Sequence, residues 1–194
     1  MGMDKQLDGK RVAILATHGF EESEVKSPKE ALEQAGAEVH VVSPESGTIK
    51  GWKDGNWSGV VKVDRTLHDA KADDYDALVL PGGVMNPDQL RQHQGAVDFV
   101  ADFFNARKPV GAICHGPWML VEADVVEGRK VTSYASIETD LRNAGANWVD
   151  QEVVVDDGLV TSRTPADLPA FNRRLVQEVA EAVHVAQPNN ILRP

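Results

Sequence analysis

Short unbroken apolar runs, separated by helical stretches, constrain this chain more than any other feature. RVAILAT (11–17), EVHVVSP (38–44), DALVLPGG (76–83) and PVGAI (109–113) carry apolar residues on consecutive positions and stop at polar, Gly or Pro residues. A strand with one wet face alternates apolar and polar residues, whereas an unbroken run belongs to a strand covered on both faces. Between the runs the period changes. In EESEVKSPKEALEQAGA, Val25, Leu32 and Ala35 fall at helical spacing and Gly36 supplies a C-cap. From Pro87 to Arg107, Val97, Val100 and Phe104 mark one helix face. A further helix is expected from about His115. TPADLPAFNRRLVQEVAEAV reads as the C-terminal helix, with Thr164 as N-cap, Pro165 at N1 and Asp167 at N3. KVTSY is a short strand, and two segments read as hairpins. TIKGWKDGNWSGVVKV turns at Asp54-Gly55 or Gly55-Asn56, and EVVVDDGLVTSR turns at Asp157-Gly158. Strands alternating with helices predict a flavodoxin-like, doubly wound α/β fold, with a mainly parallel sheet and helices on both faces. At 194 residues one domain is expected over 1–194, with 1–9 and 187–194 as tails.

Composition removes several function classes. The formal charge is −10, from 30 acidic against 20 basic residues, so no footprint for nucleic acid is expected. The single cysteine forbids an internal disulfide and fits a reducing compartment. MGMDKQLDGKR holds no apolar stretch of the signal-peptide kind, and Gln6 stands where a myristoylation signal needs Ser or Thr. The apolar runs are too short to cross a bilayer. A cytoplasmic protein with no membrane partner is expected. No G-x-G-x-x-G or G-K-[ST] loop is present, and no His, Cys and Asp residues have zinc spacing, so neither a cofactor nor a metal is expected.

In open α/β sheets ligands gather beyond the carboxyl ends of the strands. Three loops there carry reactive residues: THGFEESE after the first run, PGGVMNPD after the third, and CHGPW after PVGAI. Cys114 stands at a strand-to-helix turn, where a nucleophile elbow lifts a side chain into the cleft. A helix N-terminus beyond it is expected to lower the thiol pKa. His115 is the candidate base, with Asp88 or Glu24 as the acid that orients it. Glu24, shielded beside a thiolate, is expected to stay protonated and donate to sulfur. Glu21 and Glu22 are read as helix-dipole compensation instead. The N–H groups of Gly82 and Gly83, with that of His115, are candidate oxyanion donors. His18, at the same level, is a candidate substrate contact, and Trp118 a pocket wall or a core residue.

On these residues the chain resembles the PfpI family, within the larger ThiJ/PfpI superfamily. VAILATHGFEESE, DALVLPGG, KPVGAICHGPWML and DDGLVTSRTPADLPAF carry the resemblance in order, between Arg11 and Val183. It implies Cys114 as nucleophile, His115 as its partner and Glu24 as the acid beside the sulfur. It also implies self-association as a dimer or hexamer, in which the acid completing the triad comes from a neighbouring subunit. Asp88 holds that position here, an Asp where other members have Glu. His115 separates the chain from the superfamily branch with alanine after the cysteine. Glutamine amidotransferase domains share the elbow but use a His-x-Glu pair near the C-terminus, and here His184 is followed by Val185-Ala186. The activity implied is a cofactor-independent glyoxalase or protein deglycase, acting on methylglyoxal or its early adducts. An intracellular cysteine peptidase is one alternative, and a redox-sensing stress protein or holdase another.

Overall fold

The computed structural model describes residues 6–185. Its strands are β1 (Arg11–Leu15), β2 (Phe20–Glu21), β3 (Glu38–Ser43), β4 (Thr48–Lys53), β5 (Asn56–Lys62), β6 (Arg65–Thr66), β7 (Ala77–Leu80), β8 (Val110–Ile113), β9 (Lys130–Val131), β10 (Asn147–Trp148), β11 (Val153–Asp156) and β12 (Leu159–Ser162). The helices are α1 (Glu22–Gln34), α2 (Met85–Leu90), α3 (Gln94–Asn105), α4 (Trp118–Glu122), α5 (Glu138–Asn143) and α6 (Leu168–Val185). Seven strands form the central sheet in the order β11-β12-β8-β7-β1-β3-β6, parallel throughout except for the edge strand β11. This is the flavodoxin-like α/β arrangement the apolar runs predict.

The unbroken runs are buried because both faces of the sheet are covered. Ala13, Leu15, Leu78, Leu80 and Ala112 face α3 and α4, packing with Phe99, Val100, Phe103 and Met119. Val12, Ile14, Val79, Ile113 and Val160 face α1 and α6, packing with Val25, Leu32, Phe171 and Leu175. The chain moves from β1 out to β3 and β6, then returns to the other side of β1 through β7, β8 and β12. That reversal opens a crevice at the carboxyl ends of β1 and β7, where this class of fold binds ligands.

The two hairpin turns use left-handed residues in pairs. Asp54 and Gly55 have φ of 50° and 78°, and Asp157 and Gly158 have 45° and 80°. A two-residue turn of this hand matches the twist of its strands, so Asp54-Gly55 is the β4–β5 turn. Gly36 ends α1, with its own N–H on the Glu33 carbonyl and that of Ala37 on Leu32.

Five expectations are corrected. The helix drawn from Pro87 to Arg107 is two, α2 and α3, because tight turns from Gln89 and Leu90 end the first and His93 is extended. Val97 and Val100 are buried as expected, but Phe104 is only half-buried, and Ala96, Phe99 and Phe103 complete the core face. Thr164 makes no side-chain cap; Pro165–Asp167 is a separate 3-10 turn, and the Asp167 carboxylate accepts from the backbone and guanidinium of Arg163. Residues 6–9 are not a loose tail. They form a turn held by Leu7 N–H on the Ala35 carbonyl, with Leu7 fully buried. Residues 1–5 and 186–194 of the expected tails lie outside the described residues. KVTSY keeps only its first two residues as a strand, β9, which pairs in parallel with β10.

Candidate active site

Strand β8 ends in a sharp bend that presents Cys114. Its φ is +63°, a left-handed conformation that costs energy for a residue with a Cβ. Two backbone bonds hold it there: Cys114 N–H to the Ser162 carbonyl at 3.1 Å, and Tyr134 N–H to the Cys114 carbonyl at 2.9 Å. The bend continues through Gly116, where a Cβ would run into the Leu80 carbonyl. The thiol is nearly enclosed, with Cys114 7% exposed.

Glu24 enters from the first turn of α1 and is completely buried. Its Oε2 accepts the Gly82 N–H at 2.7 Å, while Oε1 has no hydrogen-bond partner among the described residues. Burial pushes its carboxyl up to about 8, so it is protonated at neutral pH. The carboxyl lies against the Cys114 thiol. The protonated carboxyl therefore stands beside the sulfur as a proton donor. Gly82 makes this contact possible. A Cβ there would stand 2.6 Å from Glu24 Oε2, 2.7 Å from Cys114 Cβ and 2.9 Å from His115 N.

Burial also raises the Cys114 thiol above its ordinary value, and the nearby Glu24 adds to the rise. The N–H groups of Gly83 and His115 act in the other direction. The lowered thiol pKa expected from a helix N-terminus is not found, because α4 is short and begins only at Trp118. His115 is likewise pushed down by burial. In the resting site both members of the pair are neutral: a thiol and an imidazole, with Sγ 3.2 Å from Nδ1.

Of the three N–H groups expected to face the cleft, one is turned elsewhere. The Gly82 N–H is spent on Glu24, so Gly83 and His115 supply the N–H groups that face sulfur. The Gly82 loop is shaped by Asn86, which is fully buried. Its amide donates to the Pro81 and Gly82 carbonyls at 3.0 and 3.2 Å, and its oxygen accepts the Thr17 N–H at 2.7 Å. Asn86 ties the first two strand-end loops together, a role that nothing in its sequence context announces.

His18 is half-buried on the loop after β1, and its Nδ1 accepts the Lys50 N–H at 3.0 Å. It fastens that loop to β4, and no hydrogen bond links it to Cys114 among the described residues. Asp88 does not orient His115 within one subunit. It is exposed on α2, and its carboxylate makes no hydrogen bond or ion pair among the described residues. The Nε2 of His115 instead lies 3.2 Å from Ser136 Oγ. Tyr134 stacks on the His115 ring with centroids 4.7 Å apart, and Trp118 meets it edge-on at 5.2 Å. Trp118 is thus a wall of the His115 site, and its indole N–H is bonded to Asp140. Glu22 stands outside the site, pairing with Lys26 and accepting the Gly59 N–H; Glu21 borders it, its N–H on the Gly82 carbonyl at 3.3 Å and its charge adding to the rise at Glu24. Among the described residues no group of three or more His, Cys, Asp or Glu is placed to hold a metal ion.

Residues 10–178 match the DJ-1/PfpI family. This chain belongs to that family. Family relatives include General stress protein 18 of Bacillus subtilis, 50% identical over 167 residues, covering 85% of this chain and 95% of the relative. Protein/nucleic acid deglycase 2 of Escherichia coli is 49% identical over 170 residues, covering 87% and 96%. Among solved structures, a two-domain protein from Anabaena variabilis with dj-1/thij/pfpi-like and ferritin-like domains superposes with a TM-score of 0.83 at 36% identity. The match covers 95% of this chain and 52% of that one, so the chain spans about half of the two-domain protein. Among the described residues no helix is long and apolar enough to cross a membrane.

Proposed function

We propose that the protein is a cysteine-dependent enzyme of the glyoxalase or deglycase type, acting on methylglyoxal or on its early adducts with protein side chains. One observation carries this reading: a buried carboxyl, neutral at pH 7, lies against a thiol that also contacts an imidazole. That arrangement joins a nucleophile, a base for its proton and a separate proton donor in a site shielded from water.

The reaction proceeds without a redox partner. Sγ of Cys114 bonds to the aldehyde carbon as its proton passes to His115 Nδ1. The carbonyl oxygen gains negative charge beside the Gly83 and His115 N–H groups and takes up a proton, which gives a hemithioacetal. Glu24 and His115 then move the carbon-bound proton from C1 to C2. The aldehyde carbon is oxidised to a thioester while the neighbouring ketone is reduced to an alcohol. Water releases lactate and restores the thiol. For a protein adduct, the side-chain nitrogen is set free as well. A thiol 7% exposed suits a small carbonyl better than an extended peptide. The relative named a deglycase supports the same chemistry. Self-association as a dimer or hexamer belongs to this reading, since the exposed Asp88 is free to meet a second copy.

The test measures lactate from methylglyoxal with wild type and Cys114→Ser. A loss of about a thousandfold or more in kcat/KM is expected when the nucleophile is removed. Undiminished lactate formation in Cys114→Ser would refute the reading. Wild type that forms no lactate but cleaves unfolded protein through Cys114 would move the chemistry to peptide hydrolysis. Cys114-independent suppression of aggregation, with neither activity, would leave a holdase.

A further inference from the structure

We infer that Ser136 is a positioning residue for His115, fixing which ring nitrogen carries the proton. The inference rests on the reading of Cys114 and His115 as a reacting pair, and it adds the group that makes the imidazole usable. A neutral imidazole has one N–H and one lone pair. For Nδ1 to take the thiol's proton it must present the lone pair to Sγ, which obliges Nε2 to carry the hydrogen. That hydrogen needs an acceptor in a half-enclosed site, and Ser136 Oγ stands 3.2 Å away. Among the described residues the Ser136 hydroxyl is the group that faces Nε2.

The serine is held in register with the nucleophile. Tyr134 N–H is bonded to the Cys114 carbonyl at 2.9 Å, and the single turn Ala135–Ile137 follows directly. Ile137 N–H closes that turn on the Tyr134 carbonyl at 3.2 Å, and the Ile137 side chain is buried. The segment that fixes one end of the elbow therefore delivers Ser136 to the far side of the ring. Tyr134 against the imidazole face and Trp118 at its edge restrict rotation. The Ser136 hydroxyl makes no other hydrogen bond among the described residues, so no second protein group competes with His115 for it. When the thiol proton moves to Nδ1, Nε2–H keeps the same acceptor. Nothing has to rearrange during the step.

Two readouts test this without relying on turnover. The tautomer of His115 is read from long-range proton–nitrogen spectra of protein labelled at histidine nitrogen. The accessible reactivity of Cys114 is read from its alkylation rate with iodoacetamide at fixed pH. Wild type should show hydrogen on Nε2. Ser136→Ala should show a mixture of tautomers and an alkylation rate lower by about three- to tenfold, the worth of one neutral hydrogen bond. Ser136→Thr, which keeps the hydroxyl, should restore both. Where lactate is formed, kcat should fall by the same factor, with KM changed by less than about twofold. Ser136 is exposed, so the alanine variant should fold. An unchanged tautomer and alkylation rate in Ser136→Ala would overturn the inference. So would a tautomer that shifts in Asp88→Asn but not in Ser136→Ala, because the acid of a second copy would then hold the ring. Absence of lactate formation bears only on the proposed reaction, since neither primary readout requires it.

Discussion

Replacing Glu24 by Gln should remove a specific piece of the pH dependence of stability. The folded protein holds the Glu24 proton up to about 8, whereas the unfolded chain releases it near the ordinary value of 4.5. Between those values the folded state carries the extra proton, so stability falls as pH rises. One proton of difference is worth about 1.4 kcal/mol per pH unit, and the effect fades once the folded group also ionises. Over the interval from pH 6 to pH 9 this amounts to about 2.5 kcal/mol. His115 moves in the opposite direction, with a lowered value, so its contribution falls below pH 6.5. Cys114 is raised above its ordinary range, so its own loss of stability sets in only as pH approaches the unfolded thiol's ordinary value, near the top of this interval. Glu178 is also raised by burial, so the difference between wild type and Glu24→Gln carries the test rather than the slope alone. Gln keeps an oxygen for the Gly82 N–H and an N–H₂ group where the protonated oxygen stood. Urea unfolding at pH 6, 7, 8 and 9 should give a midpoint that declines in wild type and declines much less in the variant. Parallel curves would mean that Glu24 is already ionised in the folded state. The buried acid would then be unable to donate to sulfur.

Two smaller substitutions test how tightly the site and the chain start are built. Gly82→Ala places a Cβ against Glu24, Cys114 and the His115 amide. It should cost about 1–3 kcal/mol in urea unfolding and slow Cys114 alkylation by about tenfold or more as the carboxyl is displaced; a variant that matches wild type in both would show that the cleft has slack there. Leu7→Ala empties a fully buried position beneath α1 and should lower stability by about 2–4 kcal/mol; a loss below about 0.5 kcal/mol would return residues 6–9 to the status of a tail.

Much of the fold was legible in the sequence because its signals are local. An apolar run such as ALVL reports burial on both faces, and Asp157-Gly158 reports a turn that few other pairs make so readily. The three strand-end loops, and with them Glu24, Gly82, Gly83, Cys114 and His115, follow from strand position alone once the sheet is parallel. What escaped depends on distant contacts. Leu7 has no periodic neighbours to mark it as core, and only its docking on the end of α1 buries it. Ser136 lies 21 residues beyond His115 in a single turn with no apolar pattern, and the bond from Tyr134 to the elbow is what brings it to the ring. Asn86 bridges two loops that are 69 residues apart. The choice of Gly83 over Gly82 as a free donor needed the Glu24 carboxyl to be placed first.

The direction of the thiol shift follows from burial and bears on how the site works. A helix beginning at the cysteine would have favoured a stored thiolate. Here α4 starts only at Trp118, and exclusion of water acts on Cys114 and Glu24 alike, raising both. A thiolate made before substrate arrives would sit buried beside a carboxyl, where desolvation disfavours it. The same enclosure lowers His115, so an ion pair is not formed at rest either. On the proposed reading the nucleophile is generated during attack, the thiol proton passing to Nδ1, which lies 3.2 Å from Sγ, while negative charge passes to the carbonyl oxygen. The charge appears beside the Gly83 and His115 N–H groups, which need not reorganise to receive it. Such a site keeps its cysteine protonated until a carbonyl occupies it, which limits the exposed thiolate available to oxidants. The geometry of His115 is then more consequential than the resting pKa of Cys114, since a ring with its hydrogen on the wrong nitrogen cannot accept the proton at all.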